Sequence, residues 1–368
     1  MKYFTDSVEC LNNGAPHEKE ANEFYAFFKK LDSSPKTFFL RCFITSDLFQ
    51  KTEKLKSDIH FKMADYRKLL SDELSIAVKL EDSMNVYNDK LTSVYVRNEK
   101  DDRKFTQSHY GNLFKNFSEY HYYEEPFELL SLRLKRNKIK LNSGANFTAL
   151  DCGCGGGRYT LALKKLGFGK VVGADYSPIN IQTATHLAGK RKIKNVSYQK
   201  ADVLKLPFNN NSFDFVFCNG VLHHSRSISQ GIREMIRVMK PGGTGWLYLI
   251  NKPGGIHWDT VELLRNVMKG VDPVYARNLL RILGVPENRV FHILDHIMVP
   301  INTLSSSSEI EKMLADNSVT NFQRLERGTD FDLSERLYQL NKSTKRDQET
   351  VWKYGPGEHR YYFHKPAK

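Results

Sequence analysis

The stretch Thr148–Thr160, TALDCGCGGGRYT, limits what this chain can fold into more than any other part of it. A short apolar run, Phe147, Ala149 and Leu150, ends in Asp151. Glycines follow at alternate positions, Gly153, Gly155 and Gly157, with Gly156 between the last two. Tyr159, Leu161, Leu163 and Leu166 then continue as a helical pattern. The order predicts a strand, a tight glycine turn and a helix. A turn without Cβ atoms lets the backbone touch a flat ligand. The spacing decides which ligand class fits. A dinucleotide fingerprint, G-x-G-x-x-G, needs Gly or Ala at its sixth position so that helix and strand pack closely. Counted from Gly153 that position is Arg158, and counted from Gly155 it is Thr160, which speaks against an oxidoreductase.

From Phe147 onward apolar runs alternate with helical patterns, which predicts a mainly parallel, doubly wound sheet. Residues 171–175 (VVGAD) read as a buried second strand ending in Asp175, one β-α-β step beyond Asp151. Asp175 also reads as a helix cap before Pro178. Residues 196–200 form the third strand, followed by Ala201, Asp202 and Val203. Residues 213–218 (FDFVFC) form the fourth, followed by Asn219, Gly220, Val221, Leu222, His223 and His224. A helix over 228–239 is stopped by Lys240-Pro241-Gly242-Gly243, and 245–251 (GWLYLIN) is the fifth strand. Ser305 to Ser308 cap a helix over 309–316. Segments 322–327 and 359–364 suit an antiparallel closing pair, with Gly355-Pro356-Gly357 in the turn before the last strand.

Five ordered features resemble one family. They are Asp151-x-Gly153-x-Gly155-x-Gly157, the acids after the second and third strands, the Asn219-x-Val221-Leu222-His223-His224 ending, and RVMKPGG before a strand. Together they resemble the class I S-adenosylmethionine-dependent methyltransferases, in particular their methyltransferase-11-like subgroup. The resemblance covers about residues 105–363. It implies an α/β fold, a doubly wound, seven-stranded, mainly parallel Rossmann-like sheet. It implies S-adenosylmethionine as cofactor, S-adenosylhomocysteine as product, and no metal. Carried over by motif, Asp151, Gly153, Cys154, Gly155 and Gly157 hold the methionine end. Asp175 accepts the ribose hydroxyls and Tyr176 lies against adenine. Ala201, Asp202 and Val203 meet the adenine edge, with Asp202 accepting from its amino group, and Asn219 ends the fourth motif at the cofactor. Arg158 either pairs with a carboxylate of cofactor or substrate or sits on the helix surface.

Methyl transfer needs a nucleophile in line with the methyl carbon, and a base where the acceptor carries a proton. His223 and His224, at the sheet edge where ligands bind, are the candidates nearest the methyl. His109 and Tyr110, in the HYGNLF run, are alternatives from helices that fold over the cofactor in this family. Each of these also reads as a loop-shaping or capping residue. A thioether, a tertiary amine or an ionised acid needs no base. Tyr120, Tyr122 and Tyr123 read either as pocket-closing aromatics or as core.

Residues 1–104 read as a helical N-terminal region, with helices over 17–31 and 63–84 and a charged link, NEKDDR, at 98–103. Residues 105–368 read as the methyltransferase domain. It carries a helical insertion at about 252–304, with helices over 257–269, 273–283 and 290–296. In this family such insertions commonly roof the acceptor pocket. His292, Asp295 and His296 share one helical face and read as pocket-lining groups, then as helix-end partners, then as metal ligands.

The chain has 368 residues and 40% hydrophobic content, ample for a core. Its net charge of +13 permits an anionic partner. The excess concentrates in RLKRNKIK (133–140) and KRKIK (190–194), where no aromatic residues interleave as a stacking platform wants. Solvated surface is the favoured reading. No apolar run approaches the roughly 18 residues of a membrane span, and the N-terminus lacks a signal-peptide core. The five cysteines are odd in number, and Cys152 and Cys154 are too close to pair. These features predict a cytoplasmic protein with reduced thiols and no membrane partner. The acceptor is expected to be a small molecule. The alternatives are RNA, as in the similar enzymes that esterify tRNA wobble uridines, and a cofactor-binding regulator without turnover. The pattern specifies no oligomeric state.

Overall fold

The computed structural model describes residues 14–32, 34–58, 60–86, 118–252, 254–325, 348–355 and 359–367. The chain divides into two units. One draws on Asp101–Asn251, Ile301–Thr344 and Gly357–Lys368, and the other on Met1–Lys100, Lys252–Pro300 and Lys345–Pro356.

The described residues of the first unit build a seven-stranded sheet in the order β3-β2-β1-β4-β5-β7-β6. The strands are β1 (Thr148–Cys152), β2 (Lys170–Asp175), β3 (Val196–Lys200), β4 (Phe213–Asn219), β5 (Met239–Tyr248), β6 (Asn321–Arg324) and β7 (Arg360–His364). β1 to β5 are parallel to one another, and β7 runs antiparallel between β5 and β6. The sheet is covered on both faces, as continuous apolar strands require. Leu150, Val172, Val216 and Leu247 point to one side, into a core with Ile232, Met235 and Leu314. Their chain neighbours Ala149, Val171, Phe215 and Trp246 point to the other, against Leu130, Leu134 and Leu163. This alternation is the period of two that a strand imposes. The strand order reverses between β1 and β4. In open sheets of this kind, ligands bind at that reversal, beyond the carboxyl ends of the strands.

Two sequence expectations shift. β5 begins at Met239, not at residue 245. Its pairing with β4 jumps from Phe213↔Met239 to Phe215↔Thr244, so Lys240–Gly243 is a bulge within the strand as well as the helix stop. Pro241 has no N–H to give the ladder, and Gly242 takes φ +74°. The helix Ser307–Ala315 starts at a capping box: the Ser306 hydroxyl accepts from the Glu309 N–H, and the Glu309 carboxylate accepts from the Ser306 N–H. Ser306→Ala is expected to cost about 1 kcal/mol, read as a lower denaturant midpoint at unchanged m-value.

The other unit is helical throughout its described residues. Its helices are Glu18–Lys30, Pro35–Ser57, Met63–Val86, Gly255–Val267, Pro273–Ile282, Glu287–Ile297 and Gln348–Tyr354. Helices from the N-terminal region and from the insertion therefore lie in one unit. Gly255–Val267 is buried all round, as a central helix must be. Its polar groups find partners: Asp259 with His17 at 2.9 Å, and Thr260 with the Tyr66 hydroxyl at 2.7 Å. Pro35–Ser57 has no counterpart in the sequence reading. His257 pairs with Glu53 at 2.8 Å. His292 and His296 lie ring to ring at 5.8 Å, and Asp295 is 3.8 Å from His296. Among the described residues no group of three or more His, Cys, Asp or Glu side chains is placed to hold a metal ion, and no helix is long and apolar enough to cross a membrane.

Candidate functional site

The glycine turn follows β1 at the reversal point. Gly153, Gly155 and Gly157 take φ of +70°, +52° and +89°, the left-handed region that excludes most side chains. Gly153 and Cys154 donate their N–H groups to the Ala174 carbonyl at 2.7 and 3.0 Å, which pins the turn to the end of β2. A Cβ on Gly153 would lie 2.4 Å from Val221 Cγ1, and one on Gly157 2.7 Å from the Tyr198 hydroxyl. The turn is thus packed tightly beneath, and the N–H groups of Gly153, Cys154, Gly155 and Gly157 are all bonded within the chain. Tyr122, from the segment before β1, buries its hydroxyl on the Gly156 carbonyl, and Arg191 lies over its ring at 4.9 Å. Of the aromatics read as lid or core, Tyr122 is a buttress of the turn and Tyr120 is exposed.

The acids gather under this turn. Asp151 is 2% exposed and accepts from the Thr160 hydroxyl at 2.7 Å. Burial, aided by the nearby Asp175 charge and opposed by Thr160, pushes its pKa up to about 7. Asp175 accepts from the Gly155 N–H at 2.9 Å with one oxygen. The other accepts from the Ser177 N–H at 2.8 Å and the Asn180 amide at 3.1 Å. Burial raises its pKa as well. The cap of the following helix is Ser177, which accepts from the Asn180 N–H, so Asp175 is not the cap. Asp202 is exposed and turns one oxygen onto the Leu204 N–H at 2.9 Å. Ala201 is buried, donating its N–H to the Asp175 carbonyl at 2.9 Å, and Val203 is half-buried beside it. Tyr176 is half-buried, with Lys200 Nζ 6.0 Å from its ring. Asn219 accepts from the Trp246 indole N–H at 3.1 Å. Arg158 pairs with Glu125 at 2.7 Å, which gives it a carboxylate from its own chain. Cys152, Cys154 and Cys218 are buried free thiols whose pKa values burial raises, so they stay protonated.

β4 leads into a short helical turn, Leu222–His224. Val221 packs against Gly153, so this turn adjoins the glycine turn. The His223 and His224 rings meet edge to face at 4.1 Å, and Tyr248 stands beyond His223 at 6.1 Å. His223 is 3% exposed, whereas His224 is half-buried and bonds through Nδ1 to the Ile301 carbonyl at 2.9 Å. His109 and Tyr110 lie outside the described residues. Sequence reasoning misses the supporting places of Thr160, Tyr198 and Tyr248, and gives Tyr122 only as lid or core. Only Thr160 carried a signal, since it stands inside the motif nine residues after Asp151.

The donor set fits S-adenosylmethionine. A buried and a half-buried carboxylate with raised pKa values, Asp151 and Asp175, are relieved by a cationic ligand, and a pyrophosphate there would add like charge. A test follows from the sign. Asp151 binds a proton in the folded state up to about pH 7, but gives it up near its ordinary value of 3.8 when unfolded. Stability is therefore expected to fall as pH rises from about 4 to about 7. Affinity for the cationic cofactor is expected to rise over the same window, by at most about tenfold per pH unit. Asp151→Asn should flatten both slopes, read by melting curves and titration calorimetry.

Residues 150–247 match the family model described as a methyltransferase domain. Sheet and match together support a methyltransferase domain of the class I S-adenosylmethionine-dependent type in this segment. Among curated relatives, 27-O-demethylrifamycin SV methyltransferase from Amycolatopsis mediterranei is 33% identical over 34% of this chain and 48% of its own length. Demethylmenaquinone methyltransferase from Staphylococcus aureus is 31% identical over 39% of this chain and 60% of its own. The chain thus spans about half the length of the curated relatives it matches. Among solved structures, geranyl diphosphate C-methyltransferase from Streptomyces coelicolor has 16% identity, a TM-score of 0.44, and coverage of 73% of this chain and 100% of that one.

Proposed function

We propose that this protein moves a methyl group from S-adenosylmethionine to a small-molecule acceptor by in-line displacement. The observation that carries the reading is the pair Asp151 and Asp175 beneath a glycine turn at the reversal of the sheet. When bound, S-adenosylmethionine supplies an electrophilic methyl carbon and a neutral leaving group. Asp151 answers the ammonium of the methionine end, Asp175 the ribose hydroxyls and Asp202 the adenine amino group. The glycine turn's side-chain-free backbone and Asn219 line the slot between them. His224 accepts the proton of an acceptor that carries one, and His223 packs behind it.

The names of the relatives, which act on demethylrifamycin and demethylmenaquinone, support a small acceptor. The RNA reading rests on the net charge of +13. The first basic run precedes β1 and the second precedes β3, where Arg191 is already engaged over the Tyr122 ring. Neither run is interleaved with the aromatic residues a stacking platform wants, which favours the small molecule.

The test is incubation with methyl-labelled cofactor against metabolite and RNA fractions. Label in a low-molecular-weight product, with a mass gain of one methyl, is the expected result. Label in RNA, retained in a salt-sensitive complex, would favour the runner-up. Cofactor uptake with no labelled product in any fraction points to a regulator without turnover.

A further inference from the structure

We propose that segment 301–305, where the chain returns from the insertion, is a positioning strap that makes Nε2 of His224 the proton acceptor of the site. The proposal rests on the methyltransferase reading and adds the group that orients its base. The segment is stitched to the sheet edge at three points. Ser305 donates its N–H to the Ile250 carbonyl at 3.0 Å, beside a bridge between Asn251 and Ser305. Thr303 donates its N–H to the His223 carbonyl at 2.8 Å. The Ile301 carbonyl meets Nδ1 of His224 at 2.9 Å.

The last contact fixes the chemistry of the ring. A carbonyl oxygen only accepts, so Nδ1 must carry the hydrogen. In the neutral ring the lone pair then belongs to Nε2, and a solvated imidazole has no such restriction. The Thr303 bond holds the backbone of the same helical turn, so both the position and the tautomer of His224 come from one segment. Val221, in contact with Gly153, sets this turn beside the slot. The proton passes from the acceptor to Nε2, and then to water, so the ring ends as it began.

The neighbouring titratable groups do not take over this part. His223 presents its ring edge-on at 4.1 Å. Tyr248, behind it, lies under the Arg360 guanidinium at 4.0 Å. His359, wholly buried at the start of β7, is pushed down to about 4, mainly by burial and then by Arg324, and stays neutral near pH 7. Among the described residues the cysteines are buried free thiols, and Cys218, after which the histidine turn begins, is kept protonated by burial.

Two readouts test the strap. Long-range 15N–1H correlation on protein labelled at histidine, with His224→Asn for assignment, reads the tautomer directly. Protonated Nδ1 and bare Nε2 at His224 are expected. A proton on Nε2, or exchange between both tautomers, overturns the proposal. His224→Asn sets an amide nitrogen where Nδ1 stood and keeps the bond to Ile301, but offers no base. Methyl transfer to the labelled fraction should fall by about 100-fold or more, with S-adenosylhomocysteine affinity unchanged and the acid limb of the pH profile lost. Transfer within a few-fold of the native rate, or an acid limb that vanishes in His223→Asn and persists in His224→Asn, overturns it. Failure of the native protein to bind S-adenosylhomocysteine removes the methyltransferase reading, and the tautomer spectrum still decides the strap.

Discussion

Gly153→Ala is expected to lower stability by about 2–4 kcal/mol and to abolish measurable cofactor binding. Two costs add. The residue sits at φ +70°, where a side chain is strained by on the order of 1 kcal/mol or more. Its new methyl would lie 2.4 Å from Val221 Cγ1 and 3.0 Å from Val221 Cβ, and overpacking of that kind costs about 1–3 kcal/mol. Val221 cannot yield freely, because it leads into the turn that carries His223 and His224. The change therefore disturbs both walls of the slot. Gly189→Ala is the matched control: it lies near the end of the helix Pro178–Lys190, a Cβ there meets nothing within 4 Å, and alanine favours a helix. Equal melting temperatures for the two variants would contradict this picture of the turn.

Asp175→Asn is expected to weaken S-adenosylhomocysteine binding by about 10- to 100-fold, roughly 1.5–3 kcal/mol for hydrogen bonds to a charged group. The carboxylate has two tasks. Toward the ligand, in the proposed reading, it is the acceptor for the ribose. Toward the protein it accepts from the Gly155 N–H at 2.9 Å and the Ser177 N–H at 2.8 Å. An amide keeps one acceptor but turns a donor toward either the turn or the ligand. Because Ser177 is the helix cap, the fold survives. A variant with lost stability and native affinity would reduce Asp175 to a structural role.

The site was legible in the sequence to the extent that its chemistry is local. Asp151, the alternating glycines, Asp175 and the His223-His224 pair follow one another in chain order, each at the end of a strand whose apolar run is plain. The five parallel strands were legible for the same reason. Pro35–Ser57 was not, because buried residues such as Leu40, Arg41, Thr45 and Phe49 surround the helix and leave no one-sided period. The partnership of the N-terminal helices with the insertion was also hidden. His17 and Asp259 are 242 positions apart, and no local pattern joins them. The Ile301 carbonyl is a backbone group, and any residue type could have supplied it. Arg158 looked free to meet a ligand only because Glu125 is 33 positions away.

The central claim is that the turn after β1, with its acids, is a slot for an adenosyl sulfonium and not for a dinucleotide. Calorimetric titration of the native protein with S-adenosylhomocysteine and, separately, with a nicotinamide dinucleotide tests it most directly. One-to-one uptake of the first and none of the second is the predicted result. Tight uptake of the dinucleotide with no heat from S-adenosylhomocysteine would contradict the account.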